Sequence, residues 1–523
     1  MATVPWSLAS HVIGTISSWL GGRHQRSLSR NTTTVKITNI TSLPEELIIA
    51  VMEFSEWSDI LRMRRCCKVL HSTSQARSVW VALLHRYYLT VFPRPFLLPK
   101  PLEHCASSEL EALITGWFRD VRDFSDEFSP PQTSTLQVNI KEHKKLGTIP
   151  GGRFMLYSAH EGSVYYQDPQ NVSNAPPILL IQSPFYDSLT RYEVDMNFSF
   201  EPLFPRNSDF LKCEALEDQW FPRSLNLVLA WHSYETMSPD VRETVIEVWT
   251  LLPQVVGGEL VGYLGQRLSS FNEDPYGVII SCAILGDKVA YGMPGATLAN
   301  NPAVVVVNWA GLNRGSFPDH RVYLPIDPAE NLTLLPESRI MVVYHQSVGI
   351  WSLAQGTPSY ALPPSRRQRV LSVVPAWMKL FDCPIVFGTG TNFFIRNSIR
   401  IVIPTLRGLY GMLLPCFSQG THIDRPIEVV RLVQGKYKLA GADNLQWYGY
   451  RKGASGFNRS HLVLQYSWPD DIPFAGIARI IPEQHKKWVC TYFHFDEALN
   501  RIQTFNEHTL QYHIVDLSSQ PVI

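Results

Sequence analysis

The sequence predicts an α+β, multidomain chain: a small N-terminal bundle of short helices, then a long C-terminal all-β region of propeller type. Three observations predict it. Helix-start signals with apolar spacings of three and four crowd between residues 42 and 88. From about residue 136 to the end, short runs of Val, Ile, Leu, Tyr and Phe alternate with Pro, Gly, Asn and Asp turns, the pattern of many antiparallel strands. At 523 residues the chain is too long for one ordinary domain, and at 45% hydrophobic and 18% charged it is too apolar for disorder.

Forty-six basic side chains balance 46 acidic ones, which removes the whole-molecule positive field of a general nucleic-acid binder or a protein held on anionic membranes. Nucleic acid and membrane are therefore not expected partners. The eight cysteines form no CxxC pair and have no zinc-like spacing with histidine, as expected of reduced thiols in a cytoplasmic or nuclear protein. Residues 5–20 lack a basic n-region and are too short and too polar for a span. They read as an amphipathic helix at most, within a flexible segment 1–37.

Domain 38–88 opens on Ser42-Leu43-Pro44-Glu45, which combines a capping serine, a proline in the first turn and a glutamate three residues on. Leu47, Ile48, Val51 and Met52 then form one apolar stripe. Ser58 is placed to cap a second helix carrying Ile60, Leu61, Met63 and Cys67. A third stretch carries Val69 and Leu70, and a fourth Val79, Trp80, Leu83, Leu84 and Tyr87. Such a bundle is small for stability by itself and has more large apolar residues than it can bury.

The ordered anchors from 43 to 84, LPEELIIAVMEFSEWSDILRMRRCCKVLHSTSQARSVWVALL, resemble the F-box family. The resemblance rests on the Leu-Pro start, Glu-Leu, an aliphatic pair, Asp-Ile-Leu-Arg, a Cys-Lys step and a closing Trp before two leucines. The chain departs from the family pattern at Glu56-Trp57 and at Cys66. The resemblance implies docking on the Skp-type linker protein of a cullin-RING ubiquitin ligase core. It implies that Leu43, Pro44, Leu47, Val51, Ile60, Leu61 and Trp80 carry the packing, some against the linker and some within the bundle. Fungal F-box proteins of this kind place a Pro-rich stretch and a Trp-ended helix before a β-rich region, so the resemblance extends past residue 84.

Charge is concentrated locally. Residues 60–88 carry six basic side chains (Arg62, Arg64, Arg65, Lys68, Arg77, Arg86) and no acid, whereas 102–128 carry seven acids against two arginines. Either an acidic partner or the acidic segment itself faces the basic helices. Residues 89–135 read as a spacer: Pro93, Pro95, Pro99 and Pro101 forbid a helix. Then Ser108 and Glu111 open one that carries Leu110, Leu113, Ile114, Trp117 and Phe118.

Residues 136–523 show three strand–turn–strand units, over 151–168, 226–249 and 338–353, each with an aromatic near the end of an outer strand. The expected fold is a β-propeller of about six to eight blades, with a pair of β-sandwiches as the alternative; the spacing of Trp249, Trp309 and Trp351 is too irregular for a WD repeat.

No chemical motif stands out. Gly388-Thr389-Gly390 lacks the third glycine of a dinucleotide loop, and no P-loop occurs. Asp287, Asp319 and Asp327 read as turn caps, and His494, Asp496 and Glu497 as satisfied polar contacts. Ser365-Arg366-Arg367-Gln368-Arg369 reads as a solvated loop. No catalytic residue, metal or cofactor is expected. The functional expectation is a non-catalytic, SCF-type ubiquitin-ligase adaptor that presents an unidentified protein substrate on its β domain. The alternative is a propeller-like enzyme or a sugar or small-molecule receptor whose helical end is a scaffold contact.

Overall fold

A computed structural model describes residues 40–88, 100–118 and the strands and shorter turns between 132 and 516. The expected helix within 5–20, the prolines at 93, 95 and 99, Asp319 and residues 365–369 lie outside the described residues. So does the side chain of His494. The chain divides into a helical unit, residues up to 89 with 106–115, and a β unit holding the rest.

In the helical unit the four expected helices follow one another as α1 (Glu45–Glu53), α2 (Trp57–Arg64), α3 (Lys68–Thr73) and α4 (Arg77–Tyr88). The beginning of α5 (Ser107–Phe118) completes the unit. The caps differ from the expectation. The cap positions fall on Pro44 and Glu56, not on Ser42 and Ser58, and neither uses a side chain to cap its helix. The Pro44 carbonyl instead accepts from the Leu47 and Ile48 amides. At α5 the glutamate that reaches back is Glu109, which accepts from the Ala106 amide at 2.7 Å. That leaves Glu111 for another role.

The core of this unit holds Ile48 and Met52 from α1, Ile60 from α2, Leu70 from α3 and Val79, Trp80, Leu83 and Leu84 from α4. Leu110, Leu113 and Ile114 of α5 complete it. Trp80 is fully buried, and its indole N–H donates to the Ser74 carbonyl at 2.9 Å, which satisfies the one polar atom of the side chain. Arg64 lies 5.9 Å from the centre of the Trp80 ring and donates to Ser74 Oγ at 2.9 Å. Its two terminal nitrogens donate to the two Glu111 oxygens at 2.7 and 2.8 Å. At Arg64, therefore, the intramolecular alternative for the basic segment holds.

The β unit is a β-propeller, with seven sheets of four or five strands each among the described residues. Blade 1 is Lys144–Thr148, Met155–Ser158, Val164–Gln167 and Ile178–Ile181. Blade 2 is Tyr192–Ser199, Leu225–Ser233, Thr244–Val256 and Glu259–Glu273. Blade 3 is Cys282–Leu285, Lys288–Met293, Ala303–Asn308 and Arg321–Leu324, extended by Thr357–Ser359. Blade 4 is Asn331–Leu335, Arg339–Val343, Ser347–Ser352 and Trp377–Leu380. Blade 5 is Phe393–Ile395, Ser398–Thr405, Gly408–Pro415 and Glu428–Arg431. Blade 6 is Gln446–Tyr448, Lys452–Phe457, Ser460–Gln465 and Ile477–Pro482, with Thr389–Gly390 alongside in parallel. Blade 7 joins the two ends of the domain: Tyr492–Asp496, Arg501–Asn506 and Gln511–Asp516 take Gln132–Gln137 as their outermost strand, antiparallel to Gln511–Asp516.

Strand periodicity explains how blades stack without a WD signature. In the valine run of blade 3, Val305 and Val307 join the core shared with blade 2, while Val304 and Val306 join the core shared with blade 4. Blade 2 repeats the rule. Leu225, Leu227, Leu229 and Trp231 face blade 1, and Val228 and Ala230 face blade 3. Side chains that alternate faces along a strand thus give blades 2, 3 and 4 a core on each side, which is why residues 227–231 and 303–307 are apolar at every position.

Candidate functional site

Two surfaces stand out, one in each unit. In the helical unit the seven residues singled out by the resemblance separate by depth. Ile60 and Trp80 are fully buried, Leu43, Val51 and Leu61 are half-buried, Pro44 is exposed, and Leu47 is 51% exposed. α1 explains the split, because it is apolar on two faces. Ile48 and Met52, four apart, point into the bundle; Leu47, Val51 and Phe54, spaced by four and three, form a second row that is open in Leu47 and Phe54.

Phe54, 69% exposed, was missed in the sequence, although its spacing from Leu47 and Val51 could have revealed it. Its position is fixed by an unexpected partner. Arg86 donates to the carbonyls of Phe54 at 3.2 Å and Ser55 at 2.9 Å and also to that of Glu53, so a guanidinium satisfies the end of α1. The exposed Phe54 ring thus sits on a held backbone.

In the β unit a concave site of about 510 Å³ opens at one end of blade 1. Ser158 pairs with Val164, and Val164 pairs with Ile181, so the turn around 159–163 and the segment 182–186 leave the blade at the same end. His160, Glu161, Ser163 and Tyr165 line the site from the first side, and Gln182 and Tyr186 from the second.

The site is built rather than incidental. Gly162 has φ +85°, and a Cβ there would stand 2.7 Å from the Trp231 ring of blade 2. Without that Cβ, the Trp231 indole donates to the Gly162 carbonyl at 2.8 Å. Ser163 Oγ accepts from the Ser183 amide at 3.1 Å, and Ser183 Oγ accepts from the Phe185 amide at 3.0 Å. Phe185 stacks on Tyr192 with ring centres 4.1 Å apart. Tyr165 stacks on the buried Tyr157, and burial, followed by the nearby Glu161 charge, raises its phenol above the usual tyrosine value. Glu161 is half-buried and has no hydrogen-bond or ion-pair partner among the described residues. The sequence showed a turn at His160-Glu161-Gly162 but gave no signal that residues 182–186 face it.

Residues suspected of polar chemistry are otherwise occupied. Glu497 is 1% exposed and accepts from the Tyr450, Arg451 and Lys452 amides at 2.6, 2.6 and 2.9 Å. Lys452 Nζ donates to Asn500 Oδ1 at 2.8 Å and to the Gly116 carbonyl at 3.1 Å. Asp287 accepts from the Asn308 amide group at 3.2 Å, and its carbonyl accepts from the Trp309 amide. The Asp327 carbonyl accepts from the Tyr344 hydroxyl at 3.1 Å. Thr389–Gly390 is a short edge strand, not a phosphate loop. Among the described residues no His, Cys, Asp and Glu group could hold a metal, and no helix is long and apolar enough to cross a membrane. The described cysteines 66, 67, 105, 282 and 383 form no disulfide with one another.

No protein-family profile matches the chain, and no curated protein does. Solved structures do. The crystal structure of the Myceliophteria thermophila Cps50 (Swd1) beta-propeller domain aligns with 74% of this chain and 99% of its own, at 9% identity and TM-score 0.37. The computationally designed Ika8 protein aligns with 73% of this chain and 98% of its own, at 9% identity and TM-score 0.32.

Proposed function

We propose that this chain is a substrate-recognition adaptor of an SCF-type, cullin-RING ubiquitin ligase. In this reading the helical unit is an F-box that docks on the Skp-type linker, and the propeller holds the protein to be modified. The observation that carries the proposal is the second apolar face of α1, where Leu47 and Phe54 are 51% and 69% exposed while Ile60 and Trp80 of the same motif are fully buried. A small bundle that leaves one row of large apolar side chains in water is completed by a partner helix laid along that row. The expected contribution is proximity: substrate lysines are held at high effective concentration near a charged conjugating enzyme, with no chemistry in this chain.

Co-purification of the full chain with a Skp-type linker tests the proposal. The linker is expected to co-elute with the wild type and to be lost with the Leu43→Ala/Pro44→Ala double variant, at unchanged thermal unfolding. Equal recovery of the linker with both proteins overturns it.

A further inference from the structure

We propose that the concave site at the end of blade 1 binds a basic side chain, a lysine or arginine displayed on a segment of a partner protein. The site has the size of a ligand pocket, about 510 Å³, and Glu161 is the one Asp, Glu, Lys or Arg among its described lining residues. Half-buried carboxylates are normally paired, yet Glu161 meets no cation and no hydrogen-bond donor among the described residues. Two tyrosines line the same concavity, one half-buried and one 54% exposed. A carboxylate with aromatic faces beside it is the arrangement that attracts an ammonium or guanidinium, through the charge and through the ring quadrupoles together.

The walls are held before any ligand arrives. Trp231 from the neighbouring blade fixes the turn that carries Glu161, and the Ser163–Ser183 hydrogen bond ties the Tyr165 strand to the segment that ends in Tyr186. Such preorganisation lowers the ordering cost of binding. Gln182 adds an amide able to accept a second N–H from a guanidinium or from the peptide backbone. The inference concerns the β unit alone and stands whether or not the helical unit docks on a linker.

Fluorescence polarisation of the full chain tests it with three labelled probes: a short Gly-Ser peptide bearing lysines and arginines, the same peptide bearing glutamates, and a β-glucan oligosaccharide. The basic peptide is expected to bind and to weaken as salt rises. Glu161→Gln is expected to weaken it about fivefold. Tyr186→Ala is expected to weaken it about threefold, and Tyr186→Phe to preserve it. Glu428→Gln, which alters an exposed acid on blade 5, serves as the control and leaves binding unchanged. Both site positions are solvent-accessible, and matching thermal unfolding of the variants shows that the fold is kept. Equal affinity of wild type and Glu161→Gln for the basic peptide overturns the proposal. So does binding of the oligosaccharide without the basic peptide, and so does the absence of binding by all three probes.

Discussion

Arg64 of α2 grips Glu111 of α5 with two parallel hydrogen bonds of 2.7 and 2.8 Å, across 47 residues of sequence and with side chains only 18% and 22% exposed. A bidentate, largely desolvated pair is worth more than a surface ion pair, and here it joins two helices that the proline-rich stretch separates. Arg64→Ala is expected to lower stability by about 1–3 kcal/mol. A double-mutant cycle with Glu111→Ala should return a coupling of about 1 kcal/mol or more. Urea unfolding followed by far-ultraviolet circular dichroism measures both. Additive single effects would contradict a direct pair.

Depth within the helical unit separates stability from docking. Trp80→Ala empties a fully buried site whose indole N–H is bonded, and should cost about 3–5 kcal/mol. Leu47→Ala removes a side chain already half in water and should change stability by less than about 0.5 kcal/mol. The same denaturation experiment distinguishes them.

Gly162→Ala should destabilise the first blade. The substitution forces an alanine to φ +85° and drives its Cβ against Trp231. A strained backbone of this kind costs about 1–3 kcal/mol. Hydrogen exchange should show faster opening at the amides of Gly162 and Ser183 than in the wild type.

Burial raises the Glu497 carboxyl above its ordinary value of 4.5. The folded protein therefore holds this proton more tightly than the unfolded chain does. The group's contribution is fullest below pH 4.5 and declines as pH rises through the folded value. Glu497→Gln, which stays neutral, should lose less stability than the wild type as pH rises from 4.5. Denaturation curves across that range give the difference, and a parallel pH dependence of the two proteins would refute the assignment.

Local order in the sequence revealed the helices and hairpins, because apolar spacing along one segment is enough to place them. Residues 155–167, 225–256 and 339–352 form hairpins where expected. The features that escaped depend on residues distant in sequence. Thr357–Ser359 and Thr389–Gly390 join blades other than those that directly precede or follow them, and nothing local marks that choice. Arg86 was legible only as a charge, since the carbonyls it caps lie more than thirty residues earlier. Capping failed at Ser42 because Pro44, with its fixed φ, takes the cap position itself. The Glu161 site needed two turns to meet, and only the strand register shows that they do.

The proposed role depends on the outer row of α1, Leu47 and Phe54, serving as a docking face. Isothermal titration calorimetry of the purified full chain against a purified Skp-type linker, with wild type beside a Leu47→Asp/Phe54→Asp variant, tests it most directly. The wild type is expected to bind with the negative heat-capacity change of apolar burial. The variant is expected to show no detectable binding, with thermal unfolding within a few degrees of the wild type. Linker binding of equal strength by both proteins, or none by the wild type, would contradict it.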